Sequence, residues 1–273
     1  MQRKIGDIAM TAVSDGPFPA TLDTLLDFDR DEAQRLLGKP AGTPFFLPVN
    51  SYLLTLGNRR VLIDTGCGPT MGPELGQLPS RLREIGVAPD AIDVILLTHI
   101  HPDHAMGLVD ANGAAIFPKA ELVVHEVEAN FWLGSDPAAA ATDRIRRNIG
   151  KARHATAPYR ERMRTVRDGE VLPGISAMLL PGHTPGHTGW IVHSGRDRVL
   201  IWGDVVHIPA IQVARPEAAF EYDVDPPAAR ATRQRTFDMV AADRLRVAGA
   251  HLDFPGLGTI VRSGTQYRFE PDA

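Results

Sequence analysis

The chain has 273 residues, 44% of them hydrophobic, and a formal charge of −4, so one large α/β domain can bury its core without any covalent staple. Lys occurs only four times and the Arg residues are scattered among acids, which argues against a nucleic-acid surface. A lone cysteine, Cys67, rules out an internal disulfide, and no apolar run of about 20 residues is present to cross a membrane.

Residues 1–20 carry Lys4, Asp7 and Asp15 and lack the continuous apolar stretch of a secretory leader; the expected location is the cytoplasm. Residues 4–14 and 50–64 read as strands, the second group broken by a Gly57-Asn58 turn. Between them, residues 20–49 combine a short helical pattern over 22–37 with four breakers, Pro40, Gly42, Pro44 and Pro48, and are expected to lie as loops over a sheet. Phe45 and Phe46 in that segment are candidates for a pocket wall. Asp64, at the end of the next strand and followed by Gly66 and Gly68, is a candidate partner for the outer nitrogen of a metal-bound histidine.

Leu78, Leu82 and Ile85 have helical spacing, stopped by Gly86. Val94–Thr98 then reads as a buried strand, followed by His99-Ile100-His101-Pro102-Asp103-His104. Four metal-binding groups within six residues, placed on a loop at a strand end, point to a metal site. Imidazole with carboxylate suits Zn, Mn, Fe or Co better than Ca or Mg. Residues 120–125 form another strand, and 126–133 a short helix carrying Trp132. Asp136-Pro137 has the form of an N-cap with proline at the first helical position, opening a helix to about Arg153 with Arg144, Arg146 and Arg147 on its solvated side.

The second half repeats this plan. Strands over 175–180, 189–192, 199–202 and 245–250 lead into Pro181-Gly182-His183-Thr184-Pro185-Gly186-His187, Gly203-Asp204 and His251. Asp225-Pro226 opens a helix to about Asp243, and residues 256–270 can form a hairpin. No low-complexity linker divides the chain, so a single domain over 1–273 is expected. His183, Asp204 and His251 share one feature with the first cluster: each lies just past an apolar strand. If the strand ends converge, five His and two Asp suffice for two metals with open positions.

The ordered set His99-x-His101-x-Asp103-His104, His183, Asp204 and His251 resembles the metallo-β-lactamase superfamily over nearly the whole chain. That resemblance implies an αββα four-layer sandwich, two mixed sheets flanked by helices, with a dinuclear site at one edge. Carried over by position, it puts His99, His101 and His183 on one metal, Asp103, His104 and His251 on the other, and Asp204 between them. His187 becomes an outer, supporting residue beside Asp64. The metals expected are two divalent ions, Zn foremost, with Mn, Fe or Co compatible.

Trp202-Gly203-Asp204-Val205-Val206-His207, the segment from Ala248 to Gly258, and Phe131-Trp132-Leu133 further resemble methyl parathion hydrolase and its lactone- and aryl-ester-hydrolysing relatives. That branch implies a hydroxide shared by the metals, an aromatic pocket, small neutral substrates and a homodimer. Phe45, Phe46, Trp132, His207 and Phe220 are the pocket candidates, and Asp103 and Asp204 the catalytic carboxylates, with Asp103 able to shuttle a proton. The expected reaction is hydrolysis of lactones or aryl esters, with organophosphate triesters secondary. The alternatives are a dedicated phosphotriesterase, a glyoxalase-II-like thioesterase, which would add a C-terminal helical segment, and a metal-binding module without turnover.

Overall fold

The computed structural model describes residues 2–134, 136, 139 and 142–272. In chain order the first half runs β1 (Gln2–Ile5), β2 (Ile8–Ala20), β3 (Leu25–Leu26), α1 (Arg30–Leu37), β4 (Phe45–Leu56), β5 (Arg59–Ile63), α2 (Leu78–Glu84), β6 (Val94–Leu96), α3 (Pro102–Ala105), β7 (Glu121–His125), α4 (Glu126–Ala129), α5 (Asp143–Thr156) and β8 (Met163–Val166). The second half runs β9 (Gly169–Leu172), β10 (Ile175–Leu179), β11 (Thr188–Ser194), β12 (Asp197–Ile201), α6 (Pro209–Gln212), β13 (Ala219–Phe220), α7 (Pro226–Ala242), β14 (Arg246–Ala248), β15 (Leu257–Ser263) and β16 (Gln266–Pro271).

Two seven-stranded sheets result, ordered β1-β2-β4-β5-β6-β7-β8 and β16-β15-β14-β12-β11-β10-β9. Both are mixed: β5, β6, β7 and β8 run parallel, as do β12 and β14, and the other pairs within these sheets are antiparallel. Alternation along the central strands decides the layering. Val61 and Ile63, Val94 and Leu96, and Val123 meet Trp190, Val192, Val199 and Ile201 between the sheets. The intervening Leu62, Ile95, Leu122 and Val124 face outward under α2 and α5. Leu200 and Val247 do the same under α7. Central strands buried on both faces read as unbroken apolar runs for this reason. The expected four-layer arrangement of two mixed sheets between helices is what the chain adopts.

The segment before β5 departs from expectation. Gly6, at φ +54°, splits the first strand into a hairpin, and β2 runs on to Ala20. Phe45-Phe46-Leu47 is not loop but the start of β4, paired with Phe18 to Ala20. Only Arg30–Leu37 of the 22–37 pattern is α-helical; Asp29 caps its start by accepting from Glu32 N, and left-handed Gly38 ends it. The helix α5 begins at Asp143, where Thr142 Oγ1 accepts from Ile145 N. Of the expected Asp136-Pro137 cap, Pro137 lies outside the described residues. No helix among the described residues is long and apolar enough to cross a membrane.

Candidate metal centre

Every candidate ligand leaves a strand at the same rim. The ends of β5 and β6 present Asp64 and His99, β10 leads to His183, β12 to Asp204 and β14 to His251. Thr188 N donates to Thr98 O at 2.8 Å and so ties the rim of one sheet to the rim of the other. Pro102 starts α3 rather than only breaking the loop: with His101 as its N-cap, the proline occupies the first helical position, where its missing N–H costs nothing. His99 and His101 therefore stand on the loop, and Asp103 and His104 on the first turn of a short helix.

Three overlapping groups of donors, His99/His101/His183, Asp103/His104/Asp204/His251 and His183/Asp204/His207, each have ligand atoms within 4.8 Å of one another. Asp204 serves both sides. Its Oδ2 lies 3.3 Å from His183 Nε2 and 3.7 Å from His99 Nε2, while its Oδ1 lies 3.0 Å from His104 Nε2. His251 Nε2 stands 3.5 Å from Asp103 Oδ2 and 3.4 Å from Asp204 Oδ2. Yet among the described residues His99 Nε2, His104 Nε2 and Asp204 Oδ1 are buried without a hydrogen bond. Buried polar atoms are otherwise almost always partnered, so these donors fit a pair of cations.

The outward nitrogens are held. His104 Nδ1 lies 2.8 Å from Asp64 Oδ2, His183 Nδ1 is 2.8 Å from Asp223 Oδ1, His251 Nδ1 donates to Pro48 O at 2.7 Å, and His99 Nδ1 meets Thr98 Oγ1 at 3.0 Å. Such partners fix the tautomer and aim the other nitrogen inward. Asp64 also accepts from Thr98 N and Oγ1 at 2.7 and 2.8 Å; it sits at φ +61°, a costly conformation for a residue with a Cβ. His187 has both nitrogens engaged, Nδ1 donating to Leu180 O at 3.0 Å and Nε2 accepting from Asp204 N at 2.9 Å. It props the central carboxylate and has no nitrogen left for a metal.

Two buried carboxylates went unnoticed in the sequence. Asp223 holds His183 and accepts from Phe220 N. Glu128, fully buried, accepts at Oε1 from Ile100 N and Trp132 Nε1, at 2.8 and 2.7 Å, and at Oε2 from Thr184 Oγ1 and Gly186 N, at 2.7 and 3.0 Å. It clamps the His99–His101 loop to the His183 loop. A Glu on a short helix after a strand carries no local mark of this.

Charge in the cluster follows from burial and neighbours. Burial holds the His99 and His101 rings well below the usual imidazole range. Burial would lower His183 and His251 too, but Asp204 and Asp223 raise the first to about 9, and Asp204 and Asp103 raise the second to about 10. Burial and the neighbouring His183 hold His187 down to about 3. The carboxylates thus seek positive charge, which protons supply when cations do not.

The site opens into a cavity of about 250 Å³ lined by Phe18, Leu47, Met71, Phe220 and Tyr222 beside His101, Asp103, His183, Asp204, His207 and His251, with Arg144, Arg147, Asn148 and Lys151 of α5. His207 and Phe220 line this cavity, their rings stacked 4.4 Å apart. The other three pocket candidates are not on its wall. Phe45 is packed in the cluster around α1 and α6, Phe46 is 54% exposed, and Trp132 is buried behind His101, its ring edge-on at 5.3 Å. Arg146 and Arg147 are exposed, and Arg147, with half-buried Arg144, also borders the cavity.

The chain matches the model of the family described as "Metallo-beta-lactamase superfamily" over residues 44–251. The N-acyl homoserine lactonase AiiB of Agrobacterium fabrum is 38% identical over 100 residues, covering 30% of this chain and 34% of that protein. The acyl-coenzyme A thioesterase MBLAC2 of Gallus gallus is 29% identical over 173 residues, 58% of this chain and 57% of that protein. The chain therefore spans about a third to somewhat over half of these relatives' lengths. Among solved structures, the hydrolase AbOPH of the beta lactamase superfamily superposes with a TM-score of 0.93 at 32% identity, over 100% of this chain and 97% of that one. AidC, a dizinc quorum-quenching lactonase, has the same TM-score and the same coverage at 24% identity, a likeness of fold.

Proposed function

We propose that this chain, which belongs to the metallo-β-lactamase superfamily, is a two-metal hydrolase of lactones and related carboxylic esters, built as one domain. The observation that carries this reading is Asp204, set between two donor groups at the floor of an aromatic cavity, its Oδ1 and the Nε2 atoms of His99 and His104 buried without a hydrogen bond among the described residues. In this reading His99, His101 and His183 hold one cation, Asp103, His104 and His251 the other, and Asp204 serves both. Two bound cations supply an acidified water as nucleophile and a Lewis acid for the carbonyl oxygen. Among the metals, an imidazole-rich shell with few carboxylates favours Zn.

The protein's own groups do the rest. Phe220, Tyr222, Phe18 and Leu47 hold the apolar part of the substrate and keep bulk water away. His207, whose Nε2 lies 3.2 Å from Asp204 Oδ2 and whose plane is set against Phe220, orients the ester group. Asp103, partly open to the cavity, passes a proton toward the departing alkoxide. In the net reaction water adds to the carbonyl carbon, the acyl C–O bond breaks, and the alcohol oxygen takes the proton. The likeness to AiiB supports a lactone. The longer match to an acyl-coenzyme A thioesterase supports acyl transfer to water more generally.

The test is metal content together with turnover of dihydrocoumarin, an N-acyl homoserine lactone, p-nitrophenyl acetate, methyl paraoxon and S-lactoylglutathione. About two metals per chain and fastest turnover of a lactone or aryl ester are expected. Fastest turnover of the triester or of the thioester would replace the substrate assignment. Two metals with no turnover of any of the five would sink the reading as a hydrolase.

A further inference from the structure

The helix α5 packs one face into the core and borders the cavity with the next, on which Arg144 is half-buried and Arg147 and Lys151 are exposed. Ile149, Ala152 and Ala155 pack into the core under the first sheet, and the adjoining stripe, Arg144, Arg147 and Lys151, lines the mouth of the metal cavity. The spacing of three and four residues sets these on one side of the helix. Arg144 is steadied by the Tyr222 ring, 5.4 Å from its guanidinium carbon, and Tyr222 precedes the Asp223 that aims His183. Among the described residues no carboxylate lies within 4 Å of the cationic groups of these three side chains, whereas Arg146, on another side of the same helix, pairs with Asp143. The carboxylates of the cavity wall, Asp103 and Asp204, are engaged with the imidazole cluster. The cavity thus grades from donors for cations at its floor, through aromatic and aliphatic walls, to three cations at its mouth that no carboxylate among the described residues pairs.

We infer that the natural substrate is amphipathic and anionic: an ester, lactone or thioester whose reacting carbonyl lies at the metal centre and whose far end carries a carboxylate or phosphate held by Arg144, Arg147 and Lys151. The inference rests on the hydrolase reading for the reacting group and narrows the substrate class of that same site. A neutral substrate would use the floor and walls but leave the three cations idle. Because the anionic end is remote from the bond that breaks, it is gripped alike before and during reaction, and its loss raises KM more than it lowers kcat.

The experiment compares matched substrates on the metal-loaded enzyme. The p-nitrophenyl monoester of adipic acid is set against p-nitrophenyl hexanoate, and hexanoyl-coenzyme A against S-hexanoyl-N-acetylcysteamine; the first pair tests a carboxylate and the second a phosphate. We expect kcat/KM to favour the anionic member of at least one pair by roughly tenfold at low salt, the preference shrinking as salt screens the contact. In R147E/K151E the ratio falls to about one or below, with KM carrying the change and metal content retained; R147Q/K151Q gives an intermediate ratio. Ratios near one for both pairs in the wild type, or ratios unmoved in the variants, overturn the inference. If no ester turns over, calorimetry on the metal-loaded protein decides it independently. Hexane-1-sulfonate, a poor metal ligand, binds the wild type and not R147E/K151E if the inference holds, and binds neither, or both alike, if it fails.

Discussion

Asp223→Ala frees His183 Nδ1 and is expected to lower metal affinity about 10- to 100-fold, measured by competition with a chromophoric chelator. Glu128→Gln replaces one acceptor oxygen by a donor facing other donors. It should cost about 1–3 kcal/mol in denaturant unfolding and loosen the two ligand loops together. The pH dependence of metal loading has a definite sign. Without cations, His183 and His251 keep their protons up to about 9 and 10, and each must release one to accept a metal. Affinity should therefore rise with pH from 7 toward 10 and then level, and loading at pH 7 in weak buffer should release protons. Affinity independent of pH over that span would mean these rings are not ligands.

At the scale of elements, the turn after β12 is the most exacting. Gly203 adopts φ +55°, and a Cβ there would stand 2.7 Å from His187 Nε2 and 2.9 Å from Thr98 Cβ. Gly203→Ala combines the left-handed penalty of about 1 kcal/mol with displacement of the very ring that accepts from Asp204 N. A lower melting temperature together with reduced metal content is expected; a stability loss with full metal content would detach the turn from the site. The strand β4 has a similar double role. It pairs within the first sheet, while Tyr52 Oη donates to Gly249 O at 2.9 Å, Asn50 Nδ2 to Leu252 O at 2.7 Å, and Pro48 O accepts from His251. One edge of that strand thus anchors the loop of the last candidate ligand.

For the whole molecule, the candidate metal centre would act as a fastening between the two halves. His99, His101, Asp103 and His104 come from the first sheet's side, and His183, Asp204 and His251 from the second's. Stripping the metals should lower the melting temperature by several degrees, since a site held at 100 times its Kd contributes about 2.7 kcal/mol to the folded state; differential scanning calorimetry with and without chelator checks it. Trp190, fully buried in the cluster between the sheets, tests the sandwich itself. Trp190→Ala should cost about 3–5 kcal/mol, and the loss should persist in the metal-free protein, because it comes from packing and not from the site.

What was readable in the sequence was what is local. Buried strands announce themselves as apolar runs, and a ligand cluster such as His99 to His104 announces itself because four donors crowd into one loop and one helical turn. Asp64 could be named because a carboxylate at a strand end is a recognisable partner for an imidazole. The pocket could not be read in the same way. Trp132 and Phe45 are aromatic and near the right segments, but the alternation of their strand and helix turned them into the core, while Phe18, Met71 and Tyr222 reached the cavity from elements with no motif. Glu128 and Asp223 each act on a loop about 28 to 58 positions away, a relation no spacing rule contains. Ligand type is a property of residues and their near neighbours, and it can be read along the chain. Which side chains surround the ligands, and with what charge, depends on how two sheets and α5 meet, a relation between distant segments that exists only once the chain is folded.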